Sequence, residues 1–335
     1  MNIYDIAQLA GVSIATVSRV VNDSPRVSEK TKQKVRVIME ENGYTPNVFA
    51  RGLGLDSMKT IGIMCPDVSD AYMATAVAHL ESRMHEHGYD CILCCSGFEQ
   101  SVKEKYVSLL LAKRVDALIM VGSVYAGSGE DDSMVQYVRD AAKQIPIFLI
   151  NGYLDHENVY CAYGDDYQAT YEVTSQMIER GRKRILFLCD SHSYSATQKL
   201  EGYESALKSH GLPVLGDLKL YVKNKIHTVR DILLERRDLN FDSVVATDDG
   251  LAVGAIKYAN SKLLKIPEDI CITGFNNSAL SICSDPELSS VDNKVEEICN
   301  LTISNMMKIL HGDASEVIRD NKIPCKLMKR CTTDF

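Results

Sequence analysis

Residues 13–19 read SIATVSR, and their side chains could carry recognition chemistry. Arg19 offers a planar fork of donors that fits the O6/N7 edge of guanine. Ile14 and Ala15 supply small apolar surface of the kind that meets thymine methyl groups. Ser13 and Thr16, with Tyr4, Asn22 and Ser28 around them, offer hydrogen bonds of the type that phosphate oxygens accept. None of this is bond-making chemistry. The sequence has no GxxxxGK[ST], HExxH or GxSxG stretch. The acidic pairs Asp165–Asp166 and Asp248–Asp249 are adjacent residues, whose side chains ordinarily diverge. His79, His85 and His87 sit at spacings that do not converge on one helix face. No cofactor and no catalytic residue is expected.

Three short helices would position those side chains. Ile3, Ile6, Ala7 and Ala10 recur at i, i+3, i+4, i+7 and give one apolar face. Gly11 ends that helix, and Ser13 is a good N-cap for the next. There Val17, Val20 and Val21 form the inner stripe, leaving Ile14, Ala15, Ser18 and Arg19 on the outer one. A third helix starts near Ser28, buries Val35, Ile38 and Met39, and stops at Gly43. Two helices joined by a short turn and braced by a third form a helix-turn-helix, whose second helix enters the major groove by its N-terminal residues.

Charge separates this segment from the rest. Residues 1–59 hold eight Lys/Arg against six Asp/Glu, while the remainder holds 29 against 39, within a net charge of −8. Only the first part suits a polyanion. At 335 residues, 45% apolar and 24% charged, the chain has the composition of a soluble globular protein of roughly two to three domains. Its apolar runs, such as ALIMV, are too short to span a bilayer, and MNIYDIAQLAG is not a secretory leader. A cytoplasmic protein is expected. Of eleven cysteines only Cys91, Cys94 and Cys95 cluster, in YDCILCC, which reads as a buried strand and not as a metal site.

From residue 60 apolar strands (IGIMC, CILCC, ALIMV, IFLI) alternate with amphipathic helices, and the pattern repeats in RILFL, SVVAT and ICITGF. It predicts an α/β domain of two doubly wound lobes, with ligands at the carboxyl ends of the strands.

The stretches IYDIAQLAGVSIATVSRVVND, VSEKTKQKV and GYTPNVFARGL closely resemble the lactose-repressor/galactose-repressor family of bacterial transcription factors. IGIMCPDVSDAYM, LLAKRVDALIM, QMIERGRKRILFL, LEGYESAL, VVATDDGLAVGAI and IPEDICITGFNN follow in that family's order. The resemblance implies a helix-turn-helix headpiece (1–45), a hinge (46–59) and a two-lobed, periplasmic-binding-protein-like effector and dimerisation domain (60–335). It implies a homodimer on a pseudo-palindromic operator, acting as repressor of a carbohydrate-utilisation operon under control of a sugar or sugar derivative. LMKRCTTDF carries no leucine heptad of the kind that makes tetramers in some relatives.

In the hinge the resemblance assigns Leu53 as a wedge that opens a base step through the minor groove, at a cost of a few kcal/mol. Gly52 and Gly54 flank it, each costing a helix roughly 0.5–1 kcal/mol. In the cleft it assigns Asp70, Tyr72, Asn151, Ser195, Lys199, Asp248 and Asn276, a set that suits sugar hydroxyls. Family members often have aspartate at the positions of Asn151 and Asn276 and arginine at that of Lys199. SIATVSRV and ARGL also resemble catabolite-control regulators, which use a phosphorylated carrier protein as corepressor.

Overall fold

The structure, a computed structural model, describes residues 1–21, 23–44, 57–127 and 132–335. It divides into two compact units, residues 1–60 with 114–116 and residues 61–113 with 117–335. Asn22 and the hinge residues Gly52, Leu53 and Gly54 lie outside the described residues.

The first unit contains α1 (Ile3–Ala10), α2 (Ile14–Val21) and α3 (Glu29–Glu41). The Asn2 side chain accepts hydrogen bonds from the Tyr4 and Asp5 amides, and the Asp5 carboxylate takes the Asn2 amide in return. This closes a capping box. Gly11 ends α1 at φ 63°, a left-handed turn that glycine adopts without steric cost. Ile6, Ala7, Ala10, Val17, Val20 and Val35 form the core, with Val21, Ile38 and Met39 packed partly buried against it. Lys32 is buried too, a charged residue that periodicity did not flag. Its ammonium lies 2.9 Å from both Asp23 and Glu29.

The second unit runs β1 (Thr60–Cys65), α4 (Ala71–Glu86), β2 (Asp90–Cys95), α5 (Gln100–Ala112), β3 (Ala117–Val121), α6 (Gln136–Ala142), β4 (Ile147–Ile150) and β5 (Val159–Gly164). It continues through α7 (Asp166–Glu179), β6 (Ile185–Cys189), α8 (Tyr194–Ser209), β7 (Lys219–Tyr221), α9 (Ile226–Glu235), β8 (Ser243–Ala246), α10 (Asp249–Ser261), β9 (Cys271–Phe275), α11 (Ala279–Cys283) and β10 (Ser289–Asp292). Last come α12 (Val295–Leu310), β11 (Asp320–Ile323) and β12 (Lys326–Met328).

Two sheets result, with strand orders β11-β5-β4-β3-β1-β2 and β12-β10-β9-β8-β6-β7. Both reduce to the order 2-1-3-4-5 with a late strand added at one edge. In such a sheet a ligand crevice opens beyond the carboxyl ends of the first and third strands, where the winding reverses. The registered pairs β1/β3, β3/β4, β4/β5 and β5/β11 are parallel, as are β6/β7, β6/β8, β8/β9 and β9/β10, while β10/β12 is antiparallel. Central strands are buried along their length because helices cover both faces. The expected burial of YDCILCC is corrected here. β2 is an edge strand, Cys94 alone of its three cysteines is buried, and Cys95 is exposed.

Candidate functional site

In the first unit α2 turns Val17 and Val20 inward, which leaves Ser13, Ile14, Ala15 and Arg19 exposed and Thr16 and Ser18 partly so. Ile14 is 41% exposed and Tyr4 66%, large apolar surface for a module with a small core. The Ser13 hydroxyl accepts the Thr16 amide at 3.1 Å and shares a 2.9 Å hydrogen bond with the Thr16 hydroxyl. Ser28 repeats the arrangement with Thr31 at the start of α3. These hydroxyls therefore cap helices in the free chain, each keeping further hydrogen-bonding capacity. Lys32 and Arg36 are engaged with Asp23, whose carboxyl they hold below the usual carboxylate range. Arg19 stands apart from that cluster, on the outer face of α2.

In the second unit polar groups gather at the strand ends. After β1, Asp70 caps α4 by accepting the Met73 amide at 3.1 Å. Tyr72 is buried one turn on, its hydroxyl without a partner among the described residues. After β8, Asp248 caps α10 through the Gly250 amide at 2.7 Å. Its carboxylate also accepts the side-chain amides of Asn224 at 2.7 Å and Asn276 at 2.8 Å, and Asn293 donates to the Asn276 carbonyl at 3.0 Å. Asn276 (φ 90°) and Asn151 (φ 64°) sit at positive φ, which asparagine tolerates better than most side chains. Lys199 is buried on α8, donates to the Thr247 carbonyl at 3.1 Å, and places its ammonium 3.7 Å from the centre of the Phe275 ring.

The lobes meet across this cleft. The Ser123 hydroxyl, from the first lobe, donates to that of Ser193, from the second, at 2.8 Å. Tyr153 and Tyr163 pack against Tyr194 with ring centres 6.2 and 5.7 Å away. Burial pushes the Asp70 carboxyl up, and Asp248 facing it from the other lobe pushes it further. Burial likewise raises Asp248, against hydrogen bonds from Asn224 and the Gly250 amide, and raises Asp190, which Lys199 pulls back down.

Of the residues nominated from sequence, Asp248 and Asn276 are directly bonded, Lys199 acts on Asp248, and Asp70 faces it from the other lobe, whereas Tyr72 packs into the apolar core of the first lobe beside Cys299. Ser195 is tied instead to the buried Asp166 at 2.5 Å, and Asn151 makes no hydrogen bond to the others. Asp190, Asn224, Asn293 and the Ser123–Ser193 pair were not nominated. Asp190 follows the strand RILFLC as Asp70 follows IGIMC, so position after a strand could have found it. The paired acids do diverge: Asp249 turns away from the cleft to accept from Ser278 and Ser290.

A separate groove of about 740 Å³ lies between α4 and α12, lined among others by His79, Arg83, His87, Asn300, Lys308 and His311. Among the described residues no group of His, Cys, Asp or Glu is placed to hold a metal ion.

Two family models cover the chain. Residues 2–47 match the bacterial regulatory proteins of the lacI family, and residues 58–331 match the periplasmic binding proteins and sugar binding domain of the LacI family. The chain belongs to the LacI family. An HTH-type transcriptional regulator of Lachnoclostridium phytofermentans is 51% identical over 100% of both chains. Catabolite control protein A of Priestia megaterium is 30% identical over 93% of each. Among solved structures, the lac repressor dimer bound to operator and the anti-inducer ONPF superposes with a TM-score of 0.83 at 24% identity, over 99% of this chain and 98% of that one. LacI-family proteins are sequence-specific DNA-binding transcriptional regulators and not enzymes, so the outer face of α2 and the cleft are the surfaces to explain. Among the described residues no helix is long and apolar enough to cross a membrane.

Proposed function

We propose that this chain is a homodimeric repressor of a carbohydrate-utilisation operon, binding a pseudo-palindromic operator whose affinity is set by a sugar or sugar derivative in the cleft. Arg19 forks onto a guanine. Ile14 and Ala15 contact base edges beside Ser18, while Tyr4, Ser13, Thr16, Asn22 and Ser28 hold phosphates. Leu53 is the minor-groove wedge. Asp70, Asn151, Lys199, Asp248 and Asn276 bind the effector, with Ser195 at their flank and Tyr72 in the core of the first lobe. One observation carries the reading: a single chain combines an exposed helix tip, Ile14 to Arg19, with a polar cleft walled by both lobes. A ligand that favours one arrangement of the lobes shifts DNA affinity by linkage.

The test is selection of bound sequences from random duplex DNA by the full chain, with and without a pool of sugars and sugar phosphates. A palindrome whose recovery changes with the pool supports the reading. Recovery without dyad symmetry, or unaffected by any sugar, rejects it.

A second reading, a phosphorylated carrier protein as corepressor, would use the groove between α4 and α12, where Arg83 and Lys308 lie with Asp313. Carrier-dependent operator binding, lost in Lys308→Glu, would identify that mode.

A further inference from the structure

Two thiols meet at one end of the first lobe. Cys65 ends β1 and Cys95 ends β2, and these strands are neighbours in the first sheet. The Ser96 amide donates to the Cys65 carbonyl at 2.9 Å, which sets the two cysteines side by side. Their sulfurs are 4.0 Å apart. Cys65 is fully buried in the core of the lobe, whereas Cys95 is exposed on the edge strand. Successive strand residues point to opposite faces, so the buried Cys94 is turned away from the pair.

The pair sits where movement would matter. Cys65 leads into the turn that ends at Asp70, the cap of α4. Ser96, next to Cys95, shares a 2.7 Å hydrogen bond with the Tyr125 hydroxyl. Tyr125 belongs to the same short turn as Ser123, which reaches Ser193 of the other lobe. A disulfide needs its sulfurs about 2.05 Å apart. Joining them therefore draws the tips of β1 and β2 together, next to the turn that carries the lobe contact.

We infer that Cys95 and Cys65 form a reversible oxidation site, at which a hydroperoxide converts the two thiols to a disulfide and so alters the contact between the lobes. The exposed Cys95 reacts first. Its thiolate attacks the peroxide, an S–O bond forms as the O–O bond breaks, and the leaving oxygen takes up a proton as water or alcohol. Burial, and then Cys95 beside it, push the Cys65 thiol up to about 12, so it stays reduced until that point. Oxidation of Cys95 removes the second of those two causes. Cys65 then attacks the sulfenic sulfur: the S–S bond forms, the S–O bond breaks, and the hydroxyl departs with the Cys65 proton as water. Two electrons pass from the thiols to the peroxide, and a reducing thiol reverses the change.

The test treats the reduced full chain with hydrogen peroxide, blocks free thiols and maps the digested peptides. A Cys65–Cys95 cross-link should form at least about fivefold faster than the exposed Cys283 and Cys331 are oxidised, and should vanish with dithiothreitol. Cys65→Ala should leave a sulfenic acid on Cys95 that dimedone traps. Cys95→Ser, at an exposed position, should abolish the cross-link and serves where the Cys65 variant fails to fold. Operator affinity of the oxidised wild type should shift by about threefold or more and return on reduction, while Cys95→Ser ignores peroxide. A Cys94–Cys95 bond instead, or a Cys95 no faster than Cys283, overturns the pair. A Cys65–Cys95 bond that leaves operator affinity unchanged overturns its link to the lobes. Neither result touches the effector reading above.

Discussion

In the proposed reading, base preference resides at Arg19. A bidentate Arg–guanine pair discriminates by about 1–3 kcal/mol against the wrong base. Arg19→Ala should therefore flatten preference at one base pair in each half-site, read by competition binding with single-base operator variants. Unchanged preference there would remove the assignment. Asp249 carries a different prediction. Burial, opposed by hydrogen bonds from Ser290 and Ser278, pushes its carboxyl up to about 6, while an unfolded aspartate titrates near about 3.9. The native state thus binds the proton more readily, and stability falls as pH rises through about 6. Relative to Asp249→Asn, the wild type should gain up to about 2 kcal/mol in urea unfolding as pH drops from 7.5 to 4.5. A gap that stays constant with pH would show that Asp249 keeps an ordinary titration. At this scale the sequence revealed single residues better than their partners. Asp248 and Asn276 were legible as residues after strands. Asn224 and Asn293, which complete the relay, come from segments that only the fold brings together.

At the level of elements, Gly202 marks the closest approach of α7 and α8. A Cβ there would overlap the Tyr167 carbonyl oxygen and lie 3.1 Å from the Tyr171 amide nitrogen, both backbone atoms. Alanine gains about 1 kcal/mol of helix propensity over glycine, whereas forced overpacking costs about 1–3 kcal/mol. The steric term should win, so Gly202→Ala should lower the urea midpoint. A raised midpoint would mean that the crossing can widen freely. The helices of the headpiece were legible because their apolar spacing, the caps Ser13 and Ser28, and Gly11 all agree. The strands were legible too, but strand order was not. YDCILCC has the composition of a central strand, and hydropathy alone cannot tell an edge from a centre when helices cover both faces. The burial of Lys32 was equally hidden, because it depends on Asp23 and Glu29 standing where they neutralise it.

For the whole molecule, a weakly basic headpiece joined in sequence to an acid-rich body makes DNA affinity sensitive to ionic strength. Affinity for a palindromic operator should fall by about 0.9 log units per decade of salt for each phosphate contacted. Titration from about 50 to about 200 mM salt, over which roughly six to ten phosphate contacts would cost about 10³–10⁵-fold in affinity, measures it; a flat response would deny a phosphate-anchored complex. In the proposed dimer, two headpieces gain further from effective concentration when half-site spacing matches theirs. The family and the bilobed plan could be read from motifs in order along the chain. The meeting of the lobes through Ser123 and Ser193 could not, since Ser123 opens a short 3-10 turn and Ser193 sits at the N-terminus of α8, positions whose sequence carries no sign of a partner in the other lobe.

The path of the chain has a consequence for how the protein is made. It leaves the first lobe after β5, returns as α12, and only then lays down β11 and β12, one on the outer edge of each sheet. Until residues 320–328 have left the ribosome, β5 and β10 both present bare backbone to their surroundings. Open strand edges of that sort invite pairing with other chains. The two lobes therefore mature together, in the last moments of synthesis, and a nascent chain stalled a few residues short would be doubly adhesive.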